Sequence, residues 1–273
     1  MSFAAVCLLC VAVASAQVKV QSWTQIPMDG HRTGATSPSA DNVESSLGRM
    51  EAGNYASPSG KVFPKGSATA KAAAHLLAVQ PEMAEVKAVV GYSTREMVSK
   101  APQSELSNWF VDNIMEGVAA LSGRKIDFGV GNFGGIRTSM PQGPVILDDL
   151  MSMFPFKNQV VYLELQGRDI RALLETMAAT RIQVLGGCKI VIRDGKLLSA
   201  ELDGAPIDDD RWYSVATISF LLEGGDNLYL ARNSRNLVSY DVDIIDIMLD
   251  KVKKLSAAGH NIEYQKDDRV VVL

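Results

Sequence analysis

Residues 160–202 read VVYLELQGRDIRALLETMAATRIQVLGGCKIVIRDGKLLSAEL, and their order decides the fold class. Val161, Leu163 and Leu165 alternate with polar neighbours, the period-two pattern of a strand. Ile170, Leu173, Leu174 and Met177 then recur at helical spacing, which predicts a helix with one buried face. Two apolar runs, 189–193 and 197–202, flank Asp194-Gly195, and that dipeptide between strands predicts a tight hairpin. Strand, helix and hairpin in succession break the strict alternation of a purely parallel sheet. The expectation is an α/β chain of α+β character, a mixed sheet covered by helices.

The flanking sequence extends this reading. An Ala-rich helix is predicted over 68–79, ending before Pro81. Phe110, Ile114, Val118 and Leu121 mark a second helix over 106–121, closed by Gly123. A short helix is expected over 147–154. Ile245, Met248, Leu249, Val252 and Leu255 build a last long one. Strands are predicted over 87–92, 127–131, 213–218 and 269–273.

Composition narrows the function classes. The chain has 273 residues, 47% of them hydrophobic, enough for a sizeable core. Its net charge of −4 argues against binding nucleic-acid polymers, which needs clustered positive charge. The three histidines, His31, His75 and His260, stand far apart and in no metal-ligand spacing. Residues 1–16, MSFAAVCLLCVAVASA, are apolar and end in Ala14-Ser15-Ala16, the pattern of a secretory signal peptide. The expected compartment is therefore periplasmic or extracellular. Cleavage there removes Cys7 and Cys10 and leaves Cys188 without an internal disulfide partner. Residues 17–67 are polar and turn-rich, and are expected to be a leader. Trp23, Ile26, Tyr55, Val62 and Phe63 recur within it, which leaves open a docking arm. The folded domain is expected over 68–273.

Three short motifs carry chemistry. In Asn132-Phe133-Gly134-Gly135-Ile136-Arg137, a strand end meets paired glycines and an arginine. Glycines allow positive φ and close approach of a ligand, and the guanidinium can grip phosphate or sugar oxygens. In Phe154-Pro155-Phe156-Lys157-Asn158, Pro155 holds an aromatic at a loop apex before a strand. In Phe220-Leu221-Leu222-Glu223-Gly224-Gly225-Asp226, a strand end carries a ring, then a carboxylate on a glycine turn. Such a carboxylate can accept from two vicinal hydroxyls. Each motif alone reads first as a structural turn or a piece of core. Taken together, two aromatics, a carboxylate, an arginine and an asparagine at strand ends suit a flat ligand with a polar tail, such as a nucleotide.

The motifs N-x-G-G-I-R, P-F and F-L-x-x-G-G-D, in this order and spacing, resemble the C-terminal domain of secreted 5′-nucleotidases. Leu106-Ser107-Asn108 followed by Asp112 is similar to that family's L-G-N…D helix start, with Ser for Gly. The resemblance runs from about residue 88 to the end. It implies that Phe156 and Phe220 sandwich the base, Asn132 bonds the base edge, and Asp226 holds the ribose hydroxyls. It implies that Arg137 reaches the sugar–phosphate end, with Gly134 and Gly135 shaping the turn. Lys100 stands where the family has a phosphate-side arginine. The family's dinuclear-metal phosphatase half, with its Asp, His and Asn ligands, has no counterpart motif here. The resemblance thus implies a nucleotide clamp that works with a separate metallophosphatase chain, where the divalent ions would sit. A non-catalytic nucleoside- or nucleotide-binding protein is the alternative.

Overall fold

The computed structural model describes residues 42–273. The expected signal peptide, Trp23, Ile26 and His31 lie outside the described residues. The described chain starts with α1 (Val43–Leu47), β1 (Arg49–Glu51), β2 (Asn54–Ala56), β3 (Val62–Phe63) and α2 (Ala68–Ala78). Next come β4 (Val89–Ser93), α3 (Glu105–Ser122), β5 (Phe128–Gly131), β6 (Gly143–Ile146) and α4 (Leu147–Met153). Then follow β7 (Gln159–Gln166), α5 (Gly167–Ala179), β8 (Val184–Gly186), β9 (Cys188–Arg193), β10 (Lys196–Leu202) and β11 (Ala205–Pro206). β12 (Trp212–Ile218), β13 (Arg235–Asp243), α6 (Ile244–Ala257) and β14 (Val270–Val272) complete it.

The main sheet has the order β13-β7-β12-β5-β8. Strand β12 pairs antiparallel with β7 and parallel with β5, so the sheet is mixed. A second sheet, β11-β10-β9-β14, grows from the hairpin, where Asp194 and Gly195 both take positive φ (50° and 70°) as the turn requires. Helix α3 packs on one face of the main sheet, while α5 bridges β7 and β10. Strand β7 is therefore buried along both faces from Val160 to Leu165, not on one face as the alternating pattern predicts. A strand covered from both sides buries even Tyr162 and Glu164, provided their polar atoms are bonded. Tyr162 donates to Glu164, which also receives Arg124 and Arg235.

Helix α3 is the central packing element. Ser104 caps it, accepting from the Ser107 N–H, and Gly123 closes it in the left-handed conformation. Leu106, Phe110, Ile114 and Val118 are fully buried; Leu121 is 41% exposed, because it falls in the last turn, beyond the sheet. A Cβ on Gly129 or Gly131 of β5 would stand 2.6 Å from Met115 or Phe110, so glycine there lets the helix sit close.

The expected leader is in part folded. Strands β1, β2 and β3 form a small antiparallel sheet that packs against α2, and Tyr55 stacks on Phe63 at 5.8 Å. Strands β6, β8 and β13 have no counterpart in the sequence-based expectation. The first two are three or four residues long, and β13 is an edge strand with Leu237 and Val238 exposed, so none shows a usable hydrophobic period. No described helix is long and apolar enough to cross a membrane. Cys188 is free, and burial pushes its thiol up to about 12, so it stays protonated at neutral pH.

A buried cation ties the end of the chain to this core. Arg269 forks onto Asp112 of α3 at 2.9 and 2.8 Å and onto Asp267 at 2.8 and 2.7 Å, and donates to the Leu185 carbonyl. The aspartate of the helix-start pattern thus finds its partner 157 residues away. Burial pushes the Asp267 carboxyl up, but the Arg269 hydrogen bonds and charge outweigh it and hold the group below the usual carboxylate range. Its stabilising contribution is complete above that range and is lost as pH falls through the depressed value. Replacing Arg269 with Met leaves Asp112 without its counter-charge, at an expected cost of about 3–5 kcal/mol. Urea unfolding at neutral pH measures this loss, and the gap between the two proteins should narrow toward pH 3.

Candidate functional site

The sheet order brings the three motifs to one edge. Because β7 and β12 are antiparallel, the start of β7 lies beside the end of β12, with Val160 opposite Ile218. Because β5 runs parallel to β12, its end lies at the same edge. Phe156 precedes β7, Phe220 follows β12, and Asn132 follows β5. Cross-links fix these loops. The Gln159 N–H donates to the Ser219 hydroxyl at 3.1 Å, and the Thr217 hydroxyl donates to the Val130 carbonyl at 2.9 Å. The Arg137 N–H donates to the Met153 carbonyl at 2.9 Å, joining the glycine turn to the end of α4.

A cavity of about 290 Å³ opens here, lined by Asn132, Gly134, Gly135, Arg137, Phe156, Asn158, Phe220 and Asp226. That is near the small end of ligand pockets, which run from about 300 Å³ upward. Seven residues singled out from the sequence meet in it. Lys100 does not line it; it lies in the loop after β4, exposed, its N–H donating to Ser104. Asn158 is the lining residue the sequence reading left without a role, although it stands two residues after Phe156 in the same motif. Gln183, whose side chain accepts from the Phe133 N–H at 3.2 Å, gives no sequence signal at all.

Phe156 and Phe220 are 45% and 46% exposed, unusual for rings so near a core. The Arg137 guanidinium stands 5.8 Å from the Phe156 ring centre and also donates to the Gly134 carbonyl. Asp226 sits in the left-handed region (φ 49°, ψ 31°), and Gly224 before it has φ 114°. Asn132 is 4% exposed and donates from Nδ2 to Asp226 Oδ2 at 2.8 Å. Neither Gly134 nor Gly135 has positive φ, so the conformational role expected for them is absent. Gly135 is needed for space: a Cβ there would lie 2.6 Å from Asn132 Oδ1. Gly225 is needed likewise, since a Cβ would lie 2.1 Å from the Phe220 carbonyl oxygen.

Residues 82–232, more than half of the chain, match the family described as 5′-nucleotidase, C-terminal domain. The Silent protein UshA(0) of Salmonella typhimurium is 29% identical over 49% of this chain and 26% of its own length. A 5′-nucleotidase of Vibrio cholerae is 28% identical over 41% of this chain and 21% of its own length. Among solved structures, a 5′-nucleotidase precursor from Thermus thermophilus superposes with a TM-score of 0.65 at 24% identity, over 75% of this chain and 43% of that one. The chain spans about a quarter of the length of the curated relatives it matches.

A crowded glycine and an open one give a contrast that can be measured. Gly225→Ala must move backbone and should cost about 1–3 kcal/mol in urea unfolding. Gly134→Ala, whose Cβ would meet only the Asn132 amide at 3.5 Å, should unfold within about 0.5 kcal/mol of the unaltered protein.

Proposed function

Since the chain belongs to the 5′-nucleotidase C-terminal domain family, we propose that it is the nucleotide-binding half of a split secreted 5′-nucleotidase. A separate dinuclear-metal phosphatase chain completes it, and together they hydrolyse nucleoside 5′-phosphates to nucleoside and phosphate. The observation that carries this reading is the meeting of Phe156, Phe220, Asp226 and Arg137, from three distant segments, around one cavity.

Each group has a task its chemistry suits. The base enters between Phe156 and Phe220, where stacking contributes about 1–3 kcal/mol and tolerates different bases. Asp226 accepts from the two ribose hydroxyls, each bond to a charged acceptor contributing about 1.5–3 kcal/mol. Arg137 lies at the sugar–phosphate end. Lys100, outside the cavity, is given no part in the clamp. On this reading hydrolysis is the partner's chemistry, and this chain binds and orients the substrate.

Calorimetry with adenosine and its 5′-phosphate tests the clamp. Phe220→Ala and Asp226→Ala should each weaken binding by about 5–150-fold, with unchanged melting temperatures. Unchanged affinity in both variants ends the assignment, and a large loss of thermal stability in Phe220→Ala makes that ring a structural one. A phosphatase assay with divalent metal tests the split. The chain alone should be inactive, and a metallophosphatase co-purifying from the native host should bring activity. Robust turnover by the chain alone overturns it, and nucleotide binding with no such partner favours the non-catalytic binding protein.

A further inference from the structure

We propose that Asn132 is a positioning residue that aims the Asp226 carboxylate at the ribose, rather than a reader of the base edge; this rests on the nucleoside-binding reading above. Three observations carry it. A carboxylate only accepts, so the atom facing Asp226 Oδ2 at 2.8 Å is the amide nitrogen, and the orientation of the amide is fixed by its partner. The remaining amide atom, Oδ1, is buried and has no hydrogen-bond partner among the described residues. It lies under Gly135, where a Cβ would come within 2.6 Å of it, and does not open into the cavity. The side chain thus has one outward bond to give, and gives it to Asp226.

Asp226 needs this support. It is exposed, on a turn where Gly224, Asp226 and Asn227 all have positive φ (114°, 49° and 61°), with no other side chain of the described residues donating to its carboxylate. A carboxylate there is free to rotate about two side-chain bonds. A buried amide, itself held by the close packing of Gly135, removes that freedom before the ligand arrives. The turn after β5 and the turn after β12, 94 residues apart, become one recognition unit. The leftover Oδ1 is the cost of the arrangement. An apolar side chain of the same size would spare that unpaired acceptor but could not donate to Asp226.

The test compares two ligands that share a base and differ only in the ribose hydroxyls: adenosine and 2′,3′-dideoxyadenosine. The unaltered protein should prefer adenosine by about tenfold or more. Asn132→Leu keeps the side-chain size and removes the donor. It should bring the preference to about twofold or less while dideoxyadenosine binds within about twofold of its original affinity. Asn132→Leu combined with Asp226→Ala should show no further loss relative to Asp226→Ala alone. Gly135→Ala, which displaces the amide from the other side, should lower the preference in the same way. Should Asn132→Leu fail to fold, Asn132→Ser, too short to reach Asp226, carries the same comparison. A preserved adenosine preference in these variants overturns the positioning role. So does an equal loss for both ligands, which is the signature of a base-edge contact or a general structural role. Unaltered protein that binds neither ligand overturns the nucleoside reading, and this assignment with it.

Discussion

The cavity depends on one arrangement of strands: β12 lies between an antiparallel neighbour and a parallel one. An antiparallel partner starts where β12 ends, and a parallel partner ends where β12 ends. Three loops that follow or precede these strands therefore crowd one edge, although residues 132, 156 and 220 are far apart in the chain. Ladder hydrogen bonds set the spacing of the strand ends, and a few hydrogen bonds between the loops, such as Gln159 N–H to Ser219, hold them there. Glycines in β5 let α3 close down on the same sheet, so the floor under the cavity is closely packed. Preorganisation of this kind reduces the ordering that a ligand must otherwise impose.

On that floor the groups divide between fixed and free. Asn132, Phe133 and Gln183 are buried and bonded into the wall. Phe156, Phe220 and Arg137 project with much of their surface in water. Half-exposed rings beside a tight core are costly to keep in water and gain by covering their faces. The cavity is thus stiff in its backbone and unsaturated in its side chains, which suits a planar ligand taken from solution.

Much of this was legible in the residues. The Asp194-Gly195 hairpin, the α3 stripe of Phe110, Ile114 and Val118, and the edge-of-strand position of all three motifs are local patterns. Local patterns survive whatever packs around them. Features that depend on distant partners were not legible. The alternation at Val161, Leu163 and Leu165 describes a half-covered strand, but β7 is packed by both α3 and α5 and is buried along its length. The crowding at Gly135 was not legible, because the atom that meets a side chain there belongs to Asn132 and shows only in three dimensions. Strand β13 carries no clear period, since an edge strand need bury little. Gln183 gives no signal, because its single bond to the Phe133 N–H links segments 50 residues apart.

The Arg269 fork has a consequence in time as well as in space. The guanidinium that neutralises Asp112 arrives 157 residues after it, beside the last strand of the described chain. A growing chain therefore carries α3 with its carboxylate short of this counter-charge for 157 further residues. Contacts of such long sequence separation form late, after costly loop closure. The core around α3 therefore waits for a segment far down the chain before its buried charge is balanced.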